Sequence, residues 1–596
     1  MQTPASKRPP RGVEAVIARA IAIALLGISG VAAPAPAQAE PPVSMMVHAP
    51  DSAGAIAAAR RAQRRFEGVR RAALPIQERR GGSPCEVHLG RYCYWYDSTS
   101  QPPVPREGEG VTMARHLLLA ALDSLGAVSP ADAWIVGQRV RYRLDALDTA
   151  GAVINAESAC HVTGWWCDAL RGYALHFAGE HDAAGRAFDR ALAAMGEEDR
   201  CAWENPAAVL PRPARDHVQG MACDERRAAA SRLWWLASPQ LGRAGNDVRT
   251  EFFARRVESL LEEDARLIYA VRSSWDTNEL LLRYGGSSWW TRERSMTISG
   301  PSEPQLVGHG RSPAFNFLPS PRAVLDAGAR VRNADWQPSQ PTPAMRYAPS
   351  YLAWWRDGSA QVARLRRGDT LLVIAAFEAP DDSMLGDPVA QLVLSPGPGR
   401  MRFASRQVHA LRGVLEVRMP RAASDGEVLA SVEIVDHPRR AMARHREIIG
   451  DTGRGRLALS DLLLHRPLAQ PPAVLGLDAV LADVLPATSV AAERVGVYWE
   501  TYGVAAAGEL LDVALTIERL DAPWMRRAAA RLGLADRITP VHIRWQESPR
   551  ADGGAPARSM AVSLANLANG EYRVTLRVRG DDGAEAVSQR EVRVRR

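Results

Sequence analysis

Lysine is almost absent from this sequence. Lys7 is the only lysine, and arginine supplies nearly all of the basic charge. Lys7 lies in a segment that we expect to be cleaved off, so the mature chain has no lysine. This excludes a Walker-type phosphate lysine, a Schiff-base lysine and a lysine general base. Arginine does not replace lysine at such sites, because its guanidinium stays protonated and is larger and planar.

Several signatures of enzymes and metal sites are also missing. The chain contains no HExxH, no GxSxG, no P-loop and no GxGxxG after a strand. It has no CxxC, and His161 beside Cys160 lacks partners at zinc-finger spacing. We therefore expect no catalytic, metal-binding or cofactor-binding residues, and we favour a non-enzymatic protein.

The charge of the chain is too small and too evenly spread for a nucleic-acid-binding protein. The formal net charge is +7; residues 1–39 carry +3 of it, which leaves +4 for the rest. No basic cluster alternates with aromatic residues, as a nucleic-acid groove would require. We expect no nucleic-acid partner.

The first 39 residues have the three-part layout of a secretory signal peptide. A basic start is followed by an apolar run from about Ala20 to Ala33 and by the small residues Ala37-Gln38-Ala39. The run is too short to cross a bilayer, and we expect no transmembrane span later in the chain. The sequence predicts cleavage after Ala39 and export to the periplasm, the cell surface or the medium.

Six cysteines are consistent with an oxidising compartment, because they fall into three close pairs. An exported protein can close such pairs as disulfides, and short loops lose little entropy on closing. Local pairing is therefore our prediction, although other pairings stay open. The predicted bridges are Cys85–Cys93, Cys160–Cys167 and Cys201–Cys223.

Residues 40–230 are predicted to be helical. The segment "WWCDALRGYALHFAGEHDAAGRAFDRALAAM", residues 165–195, places small and large residues at Gly172, Leu175, Gly179, Ala184, Phe188 and Ala191. It resembles a tetratricopeptide repeat, which implies stacked helical hairpins and a protein partner. His176 and His181 lie on this hairpin, and their spacing favours packing over metal binding.

Residues 231–345 carry a second pattern. The chain has Trp235, Pro239, Asn246-Asp247, Glu251 and Arg255-Arg256-Val257, then Ser274-Trp275-Asp276-Thr277-Asn278 and Arg283-Tyr284-Gly285. These residues resemble the GWxTD domain family of exported bacterial proteins. Ser274 and Asn278 depart from that signature, which has glycine and aspartate there. The resemblance implies export but no defined reaction.

The stretch "SSWDTNELLLRYGG", residues 273–286, allows two interpretations. In the one we favour, Trp275 anchors a loop in the core, Thr277 and Asn278 stabilise a turn, and "ELLLRYGG" is a buried strand ending in a glycine turn. In the other, the stretch lines a binding cleft. That cleft would be formed by Trp275, Asp276, Thr277, Asn278, Arg283, Tyr284, Trp289 and Trp290, with Glu251 and Arg256 from the preceding helix.

Two further features of the chain have both a packing and a functional explanation. Tryptophan doublets at 165–166, 234–235, 289–290 and 354–355 either fill cores or stack on sugar rings, and we favour the core. The acidic run Glu262-Glu263-Asp264 is expected to be a solvated helix face rather than a carboxylate pair.

The C-terminal part changes to the two-residue period of strands. Residues 346–470, ending with "GRGRLALSDLLL", are predicted to form one β-sandwich. Residues 490–596 are predicted to form an Ig-like β-sandwich with an inserted helix from Pro523 to about Leu534. Arg367-Gly368-Asp369 is expected to be a turn rather than an adhesion motif. The chain is thus predicted to be a multidomain α+β protein.

Two functions remain open from the sequence. The favoured one is an exported, non-enzymatic scaffold at the cell envelope that binds a protein through the helical-repeat module. The alternative is a glycan-binding or glycan-active envelope protein that uses the tryptophan-lined central domain. Neither requires a cofactor.

Overall fold

The computed structural model describes residues 53–79, 87–89, 92–95, 106–268, 273–297, 300–301, 303–338, 344–381, 384–424, 426–450, 456–469, 475–504, 510–521, 541–548 and 556–595. At 78–79, 87–89, 92–95, 295–297 and 301 this description covers the backbone alone. The fold is mixed α+β, with most helices in the N-terminal half and several sheets in the C-terminal half. This confirms the predicted class. The signal segment and the inserted helix lie outside the described residues.

The N-terminal half contains most of the helices. They are α1 (Ala53–Ala72), α2 (Glu109–Val128), α3 (Ala133–Asp145), α4 (Thr149–Ser158), α5 (Trp166–Phe177), α6 (His181–Ala194), α7 (Glu197–Glu204), α8 (Arg212–Gln219), α9 (Cys223–Ala237), α10 (Asp247–Glu263) and α11 (Trp275–Tyr284). Two short helices follow later, α12 (Pro321–Leu325) and α13 (Asp478–Leu481).

Small residues set the spacing between neighbouring helices. A Cβ added at Gly172 on α5 would lie 2.7 Å from the ring of Phe188 on α6, so the glycine makes room for the buried phenylalanine. Gly179 has a φ of +82° and turns the chain between the two helices. Both features fit the helical hairpin expected here.

Helix α10 is amphipathic and begins as the sequence predicts. The side chain of Asn246 accepts a hydrogen bond from the Arg249 backbone N–H at 3.1 Å and caps the helix. Phe252, Phe253 and Val257 are buried on its apolar side. The opposite side carries charged residues, and it forms one wall of the cleft described below.

Helix α2 is long and apolar enough to cross a membrane by length and composition, contrary to the expectation that no later segment is. It is the one such helix in the part of the chain that the structure describes. Val111, Leu118 and Leu122 on one side of it belong to a buried core cluster with α1 and α3.

One sheet joins segments that are distant in sequence. It contains β1 (Ile76–Arg79), β2 (Val87–Leu89), β3 (Tyr92–Trp95), β4 (Trp289–Thr297), β5 (Gly300–Pro301) and β6 (Gln305–His309). The order is β1-β4-β6-β3-β2, with β5 paired to β4; β1 runs parallel to β4 and β3 parallel to β6. This sheet spans the boundary predicted between residues 230 and 231.

The next strands form two sheets around a common core. They are β7 (Trp354–Asp357), β8 (Ser359–Arg367), β9 (Thr370–Glu378), β10 (Val389–Ser395), β11 (Phe403–Ala404), β12 (Val408–His409), β13 (Arg412–Pro420), β14 (Val428–Asp436) and β15 (Ala441–Ile449). One sheet is β11-β10-β14-β15-β7 with β12 on β10, and the other is β13-β9-β8. Both contribute to one buried cluster, which is compatible with a β-sandwich. Gly368, with φ +62°, turns the chain between β8 and β9, as expected.

The last strands form two more sheets. They are β16 (Ala458–Leu459), β17 (Leu463–His465), β18 (Ser489–Val490), β19 (Arg494–Tyr502), β20 (Leu511–Arg519), β21 (Val541–Glu547), β22 (Ala557–Ser563), β23 (Gly570–Gly580) and β24 (Glu585–Val594). One sheet is β16-β19-β17 with β22 on β19, and the other is β18-β24-β23-β20-β21. Because β16 and β17 pair with β19, the segment "LALSDLLL" does not end the preceding sheets as predicted.

Cysteines and tryptophans mostly follow the sequence expectations. Disulfides join Cys160 to Cys167 and Cys201 to Cys223, as local pairing predicts. The pair Cys85–Cys93 lies outside the described side chains.

Each tryptophan doublet contains at least one ring that is at least nine-tenths buried, which fits the core interpretation. The buried rings are Trp166, Trp234, Trp235, Trp289, Trp354 and Trp355.

Candidate functional site

A polar cleft of about 440 Å³ lies between α3, α5, α10, the end of α11 and residues 346–350. Its walls carry charged side chains of both signs and several aromatic rings. The charged ones are Arg70, Arg141, Arg255, Arg311, Arg346, Asp145, Glu251, Glu258 and Glu262. The aromatic ones are Tyr142, Tyr173, Phe177, Tyr284, Trp290 and Tyr347.

The charged side of α10 supplies the centre of this cleft. Glu251, Arg255, Glu258 and Glu262 follow at steps of four, three and four residues, which places them on one helix face. Arg255 Nε donates to Glu251 Oε1 at 2.7 Å, and its Nη atoms donate to the carbonyls of Leu282 (3.0 Å) and Arg346 (2.6 Å). Arg255 therefore ties α10 to the two segments that form the opposite wall.

The glycine pair after α11 fits closely over this helix face. Gly285 has a φ of +84°, and a Cβ there would lie 3.1 Å from Arg255 Nη2. A Cβ at Gly286 would lie 2.6 Å from Glu258 Oε1. The Tyr-Gly-Gly end of the stretch at 273–286 thus lets the backbone approach Arg255 and Glu258.

Glu258 is the one acidic side chain of the cleft lining without a described partner: no described residue forms a hydrogen bond or an ion pair with its carboxyl group. Burial, together with the neighbouring Glu262, raises the pKa of Glu258 to about 8. The group is therefore largely protonated at pH 7, and it can donate as well as accept a hydrogen bond.

Glu262, one turn further along α10, is held by an arginine. Arg141 Nη2 donates to Glu262 Oε1 at 2.6 Å. Burial still raises the pKa of Glu262, although Arg141 acts in the opposite direction. The expectation that Glu262 belongs to a solvated face is wrong, because α3 and α10 pack together and enclose it.

A second charged group lies near Trp290. Arg70 places its guanidinium carbon 4.6 Å from the centre of the Trp290 ring and its Nη1 3.1 Å from Asp145 Oδ1. Arg115 Nε donates to Asp145 Oδ2 at 2.7 Å. Two buried donors, Trp290 Nε1 and Arg141 Nη1, have no partner among the described residues.

The histidine pair lines the same cleft. His176 lies between Thr250 Oγ1 at 2.9 Å and Glu251 Oε2 at 2.6 Å. Burial would raise the pKa of Glu251, but Arg255 and His176 outweigh it and lower that pKa. Burial, with His176 close by, lowers the pKa of His181 to about 3, so its ring is neutral. Within the described ranges no group of three or more histidines, cysteines, aspartates or glutamates is placed to hold a metal.

Four of the ten predicted cleft residues line this cleft, and six do not. Those in the lining are Glu251, Thr277, Tyr284 and Trp290. Those outside it are Trp275, Asp276, Asn278, Arg283, Arg256 and Trp289. The main reason is that residues 279–284 of "ELLLRYGG" belong to helix α11 and do not form a strand. The helix turns Trp275 outward, where it is 71% exposed, so the prediction that it anchors a loop in the core is wrong.

Three of the remaining residues have clear packing roles. Arg283 donates to the Ala344 carbonyl at 2.9 Å. Arg256 donates to the Asn205 carbonyl at 2.7 Å, and burial lowers its pKa to about 10. Trp289 stacks on His309 with ring centres 3.7 Å apart. Neighbouring residues of a strand point to opposite faces, so Trp290 reaches the cleft and Trp289 does not.

The polar residues before α11 start the helix. Ser274 is its N-cap, and its backbone N–H donates to Thr277 Oγ1 at 2.7 Å. Thr277 Oγ1 donates in turn to the Ser274 carbonyl at 2.7 Å. Asp276 Oδ1 accepts from the Thr277 N–H at 3.2 Å and from the Ser274 hydroxyl. The local bonding expected of Thr277 is present, and it caps a helix.

Sequence reasoning missed Glu258, Glu262, Arg141 and His181 as cleft residues. The spacing of the charged residues along α10 is a signal that was available, because it marks a polar stripe on a helix whose other sides carry Phe252, Phe253 and Val257. No local pattern in the sequence indicates that α3 and α5 contribute residues to the cleft. Arg141 is 121 positions from the glutamate that it contacts.

Comparisons with known proteins assign this chain to no family. No family model and no curated protein matches it. Among solved structures, similarity is found to red sea bream transglutaminase (14% identity, 40% of this chain, 32% of that chain, TM-score 0.13). A bacterial ice-binding adhesin matches at 13% identity, 38% of this chain, 57% of that chain and TM-score 0.13. The FN1–FN3 domains of chicken CNTN1 match at 10% identity, 43% of this chain, 72% of that chain and TM-score 0.15. The chain covers about a third of the transglutaminase, and similarities this low carry no functional argument.

Proposed function

We propose that this chain is an exported, non-enzymatic protein whose central cleft binds an uncharged, polyhydroxylated ligand, a segment of an envelope polysaccharide. The observation that carries the proposal is the carboxyl group of Glu258, which has no partner among the described residues and lies in a cleft with aromatic walls. The proposal includes tetratricopeptide-like hairpins around α5 and α6, a GWxTD-like centre around α10 and α11, and two C-terminal β-sandwiches.

The charges around α10 in the cleft favour an uncharged ligand. The lining contains five arginines and four acidic residues. Three of the arginines are paired with acidic residues of the lining; Arg311 and Arg346 are in none of these three pairs. These pairs are Arg255 with Glu251, Arg141 with Glu262, and Arg70 with Asp145. A strongly charged ligand would have to break such pairs, whereas hydroxyl groups can donate to and accept from them in place.

The aromatic rings favour a ligand with flat apolar faces. Tyr284 and Trp290 line the cleft from α11 and β4 and are partly exposed, whereas Tyr173 and Tyr347, also in the lining, are buried. Sugar rings present such faces between their hydroxyl groups, and aromatic side chains provide large, rigid contact surfaces. A polysaccharide segment therefore matches both parts of the lining.

The test is binding of the purified mature protein to purified cell-wall polysaccharide. Trp290→Ala removes a cleft ring, and Trp275→Ala removes an exposed ring outside the cleft. We expect wild type and Trp275→Ala to bind alike and Trp290→Ala to bind at least tenfold more weakly; Trp290→Phe, which keeps a ring, serves as the folding control. Normal binding by Trp290→Ala, or loss of binding in Trp275→Ala, would place the site elsewhere.

A protein-interaction scaffold is the second candidate, supported by the packing of consecutive helices. Helix α4 packs against α3 and α5, and α5 packs against α6 and α10, as in a stack of hairpins. A partner that is cross-linked to the wild type in host envelopes, in equal amounts with and without added polysaccharide, would favour the scaffold. A partner displaced by polysaccharide would favour the cleft.

A further inference from the structure

We infer that Glu258 anchors the ligand as a neutral hydrogen-bond donor, so that binding requires its proton. Its O–H would donate to an uncharged acceptor oxygen, such as the carbonyl of an N-acylated sugar. This inference rests on the proposed function, and it identifies the ligand class more narrowly.

Arg141 and Arg255 lie close enough to lower the pKa of Glu258, but among the described residues neither forms a hydrogen bond or an ion pair with it. Arg255, one turn earlier on α10, already bonds to Glu251 and to two backbone carbonyls. Arg141 bonds to Glu262, one turn later. An ionised Glu258 would face the second carboxyl group of Glu262 at helical i, i+4 spacing, which is unfavourable for two like charges.

The backbone of the α11 turn also positions this carboxyl group. Gly286 lies so close that a Cβ there would come within 2.6 Å of Glu258 Oε1. The titratable groups lining the cleft around Glu258 are Glu251, Arg255 and Glu262 on α10, Arg141 on α3, Tyr173 and His176 on α5, and Tyr284 on α11. No described residue among them bonds to it. Burial and Glu262 are the main causes that raise its pKa to about 8.

A separate observation also points to a ligand in this cleft. His181 is 6% exposed, lines the same cleft, and its buried Nδ1 has no partner among the described residues. Buried polar atoms are normally satisfied by hydrogen bonds, so an unsatisfied one beside a cleft marks a position for a ligand or a solvent molecule. Trp290 Nε1 and Arg141 Nη1, in the same lining, also have no partner in the described part of the chain.

These groups together select the ligand chemistry. The neutral His181 ring and the protonated Glu258 carry no charge, while Trp290 Nε1 and Arg141 Nη1 are donors. An N-acylated sugar offers a carbonyl acceptor for Glu258 and hydroxyl groups that both donate and accept. A ligand carboxylate would meet the carboxyl groups of Glu258 and Glu262 in this part of the cleft, and Arg141, whose Nη1 has no described partner, already shares its charge with Glu262 through Nη2, so acidic sugars fit here less well.

The experiment is calorimetric titration with soluble oligosaccharides released from N-acetylated cell-wall polysaccharide, between pH 6 and pH 9.5. The proteins are wild type, Glu258→Gln, Glu258→Ala and Glu263→Gln. Glu263 is on the same helix but outside the cleft lining, so Glu263→Gln is the matched control. Because only the protonated form binds, the wild-type Kd should be constant below pH 7 and rise about tenfold per pH unit above pH 8.

The variants separate the proton from the side chain. Glu258→Gln keeps a neutral donor, so it should bind at all these pH values without the rise in Kd. Glu258→Ala should bind at least tenfold more weakly, and Glu263→Gln should follow the wild type. A wild-type Kd that is independent of pH or falls as pH rises, or a Glu258→Gln protein that does not bind, would overturn the role of Glu258 alone. No binding by the wild type at any pH would overturn the proposed function as well.

Discussion

Single residues divide into those that support the fold and those that face solvent or ligand. Trp275, at the start of α11, and Trp234, on α9, have the same side chain but opposite environments. Trp275 is 71% exposed, whereas the buried ring of Trp234 lies 4.7 Å from that of Phe252. Sequence alone treats both as large apolar residues.

We expect Trp275→Ala to change the free energy of unfolding by no more than about 0.5 kcal/mol, as at other exposed positions. Trp234→Ala should cost about 3–5 kcal/mol, because it leaves a cavity beside Phe252. Chemical denaturation of both variants measures the difference. A large loss of stability in Trp275→Ala would mean that its indole is covered in the intact protein.

Leu147 is a bulky residue with an unfavourable backbone conformation at the edge of the cleft. It follows α3 with a φ of +61°, lines the cleft and is 85% exposed. Glycine is the residue that usually occupies this conformation after a helix. A leucine here costs stability and gains no burial, so we expect it to contact the ligand.

Leu147→Gly should therefore leave stability unchanged within about 0.5 kcal/mol, since relief of backbone strain offsets the more flexible unfolded chain. Its affinity for the oligosaccharide should fall about tenfold, which corresponds to ~1.4 kcal/mol. Thermal melts and calorimetry on the same samples give both quantities. Unchanged affinity would show that Leu147 lies outside the bound ligand.

At the scale of elements, the end of α11 and the glycine turn after it form the cleft wall that faces Arg255 and Glu258 on α10. The turn brings the backbone so close to Arg255 and Glu258 that side chains at positions 285 and 286 would have no room. Gly285 and Gly286 are adjacent, but only Gly285 has a positive φ. Substitution of Gly285 should therefore change mainly stability, and substitution of Gly286 should change mainly ligand binding.

Gly286→Ala should fold with little loss of stability, because its Cβ meets the movable carboxyl end of Glu258. It should weaken oligosaccharide binding and change the pH dependence, since Glu258 is displaced. Gly285→Ala should lose roughly 1–3 kcal/mol of stability from its backbone conformation. Denaturation and binding curves for the pair distinguish the two effects, and the opposite ranking would contradict this account of the turn.

The disulfides belong to the same scale, because each connects a helix to a nearby segment. Cys160 precedes α5 and bonds to Cys167 within it, and Cys201 on α7 bonds to Cys223 at the start of α9. Mass analysis of a non-reduced digest should recover peptides linked 160–167 and 201–223. Free thiols at these four positions would contradict both the bridges and the expected export.

At the scale of the whole molecule, a buried ion pair joins the helices to the first C-terminal sheets. Arg446 on β15 is fully buried and donates to the carbonyls of Ser238 (2.5 Å) and Pro239 (3.2 Å) and to Glu433 Oε1 (3.2 Å). Glu433 accepts from the backbone N–H groups of Leu241 (2.6 Å) and Gly242 (3.0 Å). The loop after α9 is thus held against the sheet by both charges.

Arg446→Met should cost about 3–5 kcal/mol, because it leaves Glu433 buried without its cation. It should also increase hydrogen exchange in residues 236–242, which lose the donors to their carbonyls. Arg593→Met is the control, since its ion pair with Glu571 is exposed and should contribute no more than about 1 kcal/mol. Equal effects of the two substitutions would show that the buried pair does not hold the loop.

Local patterns in the sequence determined much of the architecture. The change from helical to two-residue periodicity placed helices before strands, and close cysteines predicted the two described disulfides. A glycine and an aspartate in a turn position predicted the turn at 367–369. These features depend on residues within a few positions of one another, so the sequence contains the information that decides them.

The cleft was decided by tertiary structure. The apolar run in "ELLLRYGG" suits a strand or a buried helix equally well by periodicity, and packing against α10 together with the Ser274 cap made it a helix. Burial and the neighbouring Glu262 raise the pKa of Glu258, and they outweigh Arg141 and Arg255, which lower it. Sheet β1–β6 likewise joins segments about 200 residues apart. Contacts between distant residues set these energies, and no local pattern records them.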